Sequence, residues 1–143
     1  MLNYDRIGHH YPPYRYEVSR EKIREYALAT GVNDETYLRD DGDIMAPPTF
    51  AACFTLTQGV ERMLKDPDLD AHTSLVHGSQ EYEFHRPIRP GDVFECRPWI
   101  TDITTRRGNE FLTIQIDCVD VVTDEPVVTS RGTIVFLGSG QEA

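Results

Sequence analysis

The sequence predicts an α+β fold in which one long central helix is wrapped by a curved antiparallel β-sheet. Two observations carry that expectation. Residues 45–65, MAPPTFAACFTLTQGVERMLK, form the longest helix-like stretch and are apolar on nearly every side. A helix of that kind is buried all round rather than laid on a surface. From Ser74 onward the chain instead alternates with a period of two between turn residues, the pattern of successive antiparallel strands. Only those strands offer the apolar surface that such a helix needs.

The elements follow in order. Residues 1–13 read as irregular, with Pro12–Pro13 holding an extended segment. Tyr14–Val18 alternates and suits a short strand. Ser19 is an N-cap candidate for REKIREYALAT. Ile23, Tyr26, Ala27 and Thr30 share one face of that helix, and Gly31 suits the left-handed residue that ends it. Residues 32–44, VNDETYLRDDGDI, read as an acidic loop with room for one helical turn; so long a loop in a compact domain is usually functional or mobile. The central helix opens at Pro47–Pro48–Thr49, where the N–H that proline lacks has no partner to lose. It stops at Lys65-Asp66-Pro67. Phe54 and Leu56 are candidates for its core.

Strands are then expected over Ser74–His85, Val93–Thr104, Glu110–Val122 and Val127–Leu137. Tyr82 and Phe84 share one face of the first. Pro98 marks an edge or a bulge in the second. Leu112, Ile114, Ile116 and Cys118 point inward from the third, and Ile134 and Phe136 from the last, where Gly132 is a bulge or a point of close approach. RPIRPGD at 86–92 and Arg107-Gly108-Asn109 are turns. GSGQEA at 138–143 should fray. With no repeat and no linker, the expectation is a single domain over residues 1–143.

Composition narrows the partners. A net charge of −10 lacks the basic footprint that a phosphate backbone needs, so nucleic acid is excluded. No run approaches the ~18 apolar residues of a membrane span, and the start of the chain carries no apolar signal region. Cys53, Cys96 and Cys118 are odd in number and lie in apolar contexts, which fits reduced, buried thiols in a cytoplasmic protein. No spacing suits a metal: Asp40-Asp41-Gly42-Asp43 lacks the glutamate that closes a calcium loop, the matching residue being Ala51. No cofactor is expected.

The segments REKIREYALATG, MAPPTF, LVHGSQEYEFHRPIRPGD and GNEFLTIQIDCVDVVTDEPVVTS resemble the MaoC-like dehydratase family. More narrowly they are similar to its N-terminal, HadA-type branch, the (3R)-hydroxyacyl-thioester dehydratase subunit. The resemblance runs from about Ile7 to Leu137. It implies the hot-dog fold, an acyl group carried on coenzyme A or an acyl carrier protein, and a homodimer or a heterodimer with a catalytic hot-dog subunit.

Reversible hydration of an enoyl thioester needs an acid–base pair and a donor for the thioester oxyanion. In active members of the family a loop of the form Gly-Asp-x-Asn-Pro-x-His supplies the pair. The matching stretch here is Gly31–Tyr37, which puts Val32 at the aspartate position and Tyr37 at the histidine position. Sliding the match by two residues brings Asp34 near the acid position, with no histidine after it before His72. Active members also open the central helix with His-Gly, whose glycine N–H donates to the oxyanion. Here those positions are Pro47 and Pro48, and proline has no N–H.

The remaining catalytic candidates are His77, Asp34 and Tyr37. Each also has a structural reading, as a bonded strand histidine, a turn residue and a packing aromatic. Tyr37, Thr49, Phe50, His77, Gly78 and Gln80 are candidates for substrate contact, and Ser79 shares Gln80's polar strand context. Arg86 and Arg89, with Arg106 and Arg107 as further cations, are candidates for the carrier's phosphates. Two functions are thus expected. One is an acyl-thioester-binding subunit whose partner carries the catalytic pair. The other is a self-sufficient hydratase or acyl-CoA thioesterase with a displaced catalytic set.

Overall fold

The computed structural model describes residues 1–140. Five antiparallel strands form one sheet in the order β1-β3-β4-β5-β2. They are β1 (Tyr14–Glu17), β2 (Leu75–Phe84), β3 (Val93–Arg106), β4 (Asn109–Asp120) and β5 (Pro126–Phe136). The helices are α1 (Arg20–Ala29), α2 (Glu35–Leu38), α3 (Ala52–Thr55) and α4 (Gln58–Leu64), with 3₁₀ turns at Tyr4–Arg6 and Pro48–Ala51. None is long and apolar enough to cross a membrane.

Local chemistry places these elements where the sequence puts them. Ser19 caps α1 by accepting the Lys22 N–H. The helix closes with Gly31 at φ +77°. The Gly31 N–H reaches the Leu28 carbonyl at 3.2 Å and the Val32 N–H the Ala27 carbonyl at 2.8 Å, the paired bonds of a Schellman stop. Arg107 and Gly108, both at positive φ, make the two-residue hairpin turn that matches strand twist. Along β4 Leu112, Ile114, Ile116 and Cys118 are buried while Thr113, Gln115 and Asp117 are half-buried. Pro98 lies past the end of β1's ladder, which reaches only Cys96; the bulge in β3 falls at Ile100–Asp102 instead.

The central helix departs from expectation in two ways. It is not continuous: the 3₁₀ turn, α3 and α4 follow one another with a break at Leu56–Thr57. Thr55 and Thr57 donate their hydroxyls back to the carbonyls of Ala51 (2.8 Å) and Cys53 (3.0 Å), a pattern that bends helices. The helical path then presses on the sheet at Gly59, where any Cβ would overlap Ile116 Cδ1. Nor is it buried all round. Phe50, Phe54 and Met63 are fully buried, but Cys53, Leu56 and Val60 are half-buried and Leu64 is exposed. The buried face packs on Phe94, Ile100, Leu112, Ile114, Ile116 and Phe136.

The tail is also pinned rather than frayed over Gly138–Gly140. Gly138 N–H donates to Asn109 Oδ1 (2.8 Å), Ser139 Oγ to Glu110 Oε1 (2.6 Å) and Gly140 N–H to the Gly108 carbonyl (3.1 Å). Residues 141–143 lie outside the described residues. Glu110 faces inward at the head of β4 and is fully buried. Its Oε1 also accepts the Leu2 N–H at 2.8 Å, so one carboxylate ties both ends of the chain to the sheet.

Candidate functional site

The site is built on the inner face of β2, an edge strand. Register sets which side chains share that face: Leu75, His77, Gln80, Tyr82 and Phe84 lie opposite Phe136, Ile134, Gly132, Ser130 and Val128 of β5. A register shift between His77 and Ser79 keeps His77 and Gln80 on one side. The helical segment meets β2 where the Tyr82 hydroxyl bonds Thr55 Oγ1 at 2.9 Å. His77 and Phe84, on either side of that contact along the strand, are exposed.

Beside Phe84 lies a cavity of about 320 Å³, largely apolar and lined by Met45, Ala46, Pro48, Phe84, His85, Arg86, Pro87 and Ile88. At the other end of β2 the lining is polar. His77 Nε2 lies 2.9 Å from the Ser79 carbonyl and 3.1 Å from Gln80 Oε1, and Gln80 Nε2 donates to Ser130 Oγ at 2.7 Å. Gly132 is in close approach rather than bulged: a Cβ there would sit 2.8 Å from Gln80 Oε1. Gly78 lets β2 and β5 approach, since a Cβ there would meet Val135 Cγ2 at 2.9 Å.

The loop residues do not join His77. Asp34 is exposed and caps α2 by accepting the Thr36 N–H at 2.8 Å. That bond holds its carboxyl below the usual range, so it is ionised at neutral pH and unsuited to give a proton. Val32 is half-buried behind α1, and Tyr37 packs on the edge of the core. Thr49 is exposed and receives the Tyr26 hydroxyl at 2.8 Å. Phe50 corrects an expectation: its ring is fully buried between Tyr16, Tyr26 and Phe54, so it holds the helix and does not line the groove.

The arginines separate as well. Arg86 has both arms of its fork on carboxylates, Asp92 Oδ2 at 2.9 Å and Asp120 Oδ2 at 2.7 Å, with its cation 5.9 Å from the Phe94 ring centre. That engagement fixes the β2–β3 turn and leaves little for a phosphate. Arg89 has no ion pair among the described residues and borders a small cleft with Thr36, Asp43, Ile44 and Met45. Arg106 and Arg107 stand at the far end of β3, so the four do not cluster. Burial pushes the Cys53 thiol up, and the contact with Cys96, together with burial, pushes Cys118 well up, which disfavours the nucleophilic thiolate at both. No group of metal-binding side chains occurs among the described residues.

Sequence reasoning missed Glu110, Ser130 and Thr55. The first two sit at inward positions of the period-two pattern, alternating with Leu112 and with Ile134, which is the signal that was there to be read.

A family profile described as the FAS1-like dehydratase domain region matches residues 5–130. The chain belongs to this family. Among relatives of this FAS1-like dehydratase-region protein, a UPF0336 protein of Saccharopolyspora erythraea is 38% identical over 147 residues, covering 95% of this chain and 92% of the relative. A UPF0336 protein of Mycobacterium tuberculosis is 30% identical, covering 87% and 81%. Among solved structures, a MaoC-like dehydratase aligns with TM-score 0.82 at 27% identity, over 92% of this chain and 42% of the other. The C-terminally truncated HadBC (3R-hydroxyacyl-ACP dehydratase) complex of Mycobacterium tuberculosis aligns with TM-score 0.77 at 21% identity, over 92% and 97%. The FAS1-like dehydratase-region protein is thus a MaoC-like hot-dog protein of the hydratase and dehydratase kind.

Proposed function

We propose that this chain is the acyl-thioester-binding, HadA-type subunit of a (3R)-hydroxyacyl-thioester dehydratase, and that a second hot-dog chain supplies the catalytic Asp/His pair. One observation carries the reading. On the family's loop pattern the matching stretch is Gly31–Tyr37, and its two catalytic positions are Val32 and Tyr37, half-buried against α1 and the core edge. The opening of the central helical segment fits the same reading: Pro47 and Pro48 hold the oxyanion-donor positions, and neither has an N–H to give. What remains is binding surface: an apolar cavity beside Pro48 and Phe84, the polar side chains of His77 and Gln80 on β2, and Arg89 at a neighbouring cleft for a carrier phosphate.

A partner is supported from two sides. β2 is an open sheet edge, which proteins pair or cover, and α4 leaves Val60 and Leu64 partly uncovered. The fold neighbours include the HadBC and ChsH1–ChsH2 complexes.

The test follows enoyl-thioester absorbance for the chain alone, for a hot-dog partner carrying an intact Gly-Asp-x-Asn-Pro-x-His loop, and for the mixture. An acid–base group contributes about 10²–10⁴-fold and an oxyanion donor about 10²–10³-fold. The chain alone should therefore stay near background, and the mixture should exceed the partner alone. Robust turnover by the chain alone overturns the proposal in favour of a self-sufficient enzyme.

A further inference from the structure

The hydrogen bonds around His77 fix which ring nitrogen carries the proton. Nε2 faces the Ser79 carbonyl at 2.9 Å and Gln80 Oε1 at 3.1 Å. The orientation of the Gln80 amide is itself determined, because its other end lies 3.3 Å from the Glu81 carbonyl, which only accepts. The Gln80 nitrogen must point to Glu81, with Ser130 Oγ as its second acceptor at 2.7 Å. Gln80 therefore turns its oxygen to His77. Both atoms facing Nε2 are acceptors, so Nε2 donates and, in the neutral ring, Nδ1 carries the lone pair. Nδ1 has no partner among the described residues.

The groups that hold Gln80 in place are buried, while Gln80 is half-buried and the ring is exposed. Ser130 is 2% exposed. Gly132 lies in the middle of β5 on the inward face, and a Cβ there would be 2.8 Å from Gln80 Oε1 and 3.6 Å from His77 Nε2. A glycine inside a strand forfeits packing and marks a place where something must approach closely. Here it makes room for the amide that aims the imidazole. A histidine serving only the core would need no such support on its solvent side. Buried groups that orient an exposed ring are the arrangement of a ligand contact.

We infer that His77 is a ligand-contacting residue of the β2 groove, its Nδ1 accepting an N–H or O–H of the bound acyl-thioester, with Gln80 and Ser130 as positioning residues. The inference rests on the reading that this groove binds an acyl-thioester. The donor is either an amide N–H of the pantetheine arm or a hydroxyl on the acyl chain, and two probes separate them. Crotonyl-CoA has the amides and no acyl hydroxyl; 3-hydroxybutyryl-CoA has both.

The experiment is ¹⁵N NMR of histidine-labelled chain, alone and mixed with a partner subunit whose loop aspartate and histidine are replaced so that the mixture does not interconvert the probes, with His77 assigned from His77→Gln. The free chain should show Nε2–H and an unprotonated Nδ1 at His77. Adding crotonyl-CoA should shift Nδ1 if an amide is the donor; a shift with 3-hydroxybutyryl-CoA only identifies the hydroxyl. Gln80→Leu should lower the Nε2–H fraction and weaken probe binding about 2- to 10-fold, the loss of roughly one hydrogen bond. Ser130→Ala should act in the same direction more weakly and serves if Gln80→Leu does not fold. A neutral ring that carries its proton on Nδ1 rather than on Nε2 overturns the inference. So does probe binding that shifts other resonances and leaves His77 unmoved, while the acyl-thioester reading stands. Failure of both probes to bind in the chain and in the mixture overturns that reading and this inference together.

Discussion

The centre of the sheet and its β2 edge share one inner face but are filled differently. Over β3 and β4 the inward positions are Phe94, Ile100, Leu112, Ile114 and Ile116, closed by Phe50, Phe54 and Met63. Along β2 the same alternation delivers His77, Gln80, Tyr82 and Phe84, with His77 and Phe84 open to solvent. Hydrocarbon at the centre needs only shape, so its members are interchangeable within a volume. The edge uses bonds with direction: the Gln80–Ser130 bond depends on Gly132 leaving space. A half-covered sheet thus holds a core and a groove without a second layer to build the latter.

The largest test of that division compares two phenylalanines. Phe54→Ala should cost about 3–5 kcal/mol, the range for removing a fully buried aromatic, with a large fall in melting temperature. It also loosens Tyr16 and Phe94, whose rings lie 4.8 and 5.7 Å from Phe54. Phe84 is 41% exposed, and Phe84→Ala should cost about 1–2 kcal/mol, in proportion to the part of its area that leaves water. It should instead weaken acyl-thioester binding. Equal losses of stability by denaturant melting would mean that Phe84 belongs to the core and that there is no groove at that end.

The sequence made the centre legible because alternation and apolar content are local signals. The strands, α1 with both its stops and the hairpin at Arg107–Gly108 all follow from them. The break at Leu56–Thr57 was not legible. It arises from threonine hydroxyls bonding back along the helix and from the approach of Gly59 to Ile116, and the second of these is a long-range contact. The site was partly legible. His77 and Gln80 stood out as polar residues in a strand, but Ser130 and Gly132, fifty residues on, take their meaning only from register with β2. Arg86 was a candidate for a carrier phosphate because, although Asp92 closes the same turn, nothing local announces that Asp120 takes its other arm.

A test of intermediate size concerns Glu110, the one fully buried charged group among the described residues. Burial alone would raise its carboxyl. Bonds from the Ser139 hydroxyl and the Leu2 N–H outweigh burial and hold it below the usual range. A group with a depressed folded value contributes stability above its unfolded value, and that contribution is lost as pH falls through the folded one. Glu110→Gln should lower stability at neutral pH by about 1 kcal/mol, the difference between charged and neutral hydrogen bonds. It should also flatten the acid limb of the stability curve below about pH 4.5. Denaturant melts of both chains from neutral to acid pH measure this; parallel curves would show that the carboxylate is not what ties the two ends to β4.

The smallest expected effect lies at the boundary itself. Thr55 Oγ1 gives its only proton to the Ala51 carbonyl at 2.8 Å, so the Tyr82 hydroxyl must be the donor in the 2.9 Å bond between them. Burial pushes the Tyr82 phenol up, which keeps it protonated as that role demands. Tyr82→Phe removes this one bond while keeping the ring, and should cost about 0.5–1.5 kcal/mol. The variant leaves Gln80, Ser130 and Gly132 in place, so affinity for crotonyl-CoA should change by less than about threefold, under half the weight of one neutral hydrogen bond's tenfold limit. A variant that keeps its stability but loses binding would move Tyr82 out of the helix–sheet contact and into the groove. The line between packed centre and binding edge would then run along Thr55, on the helix, rather than along β2.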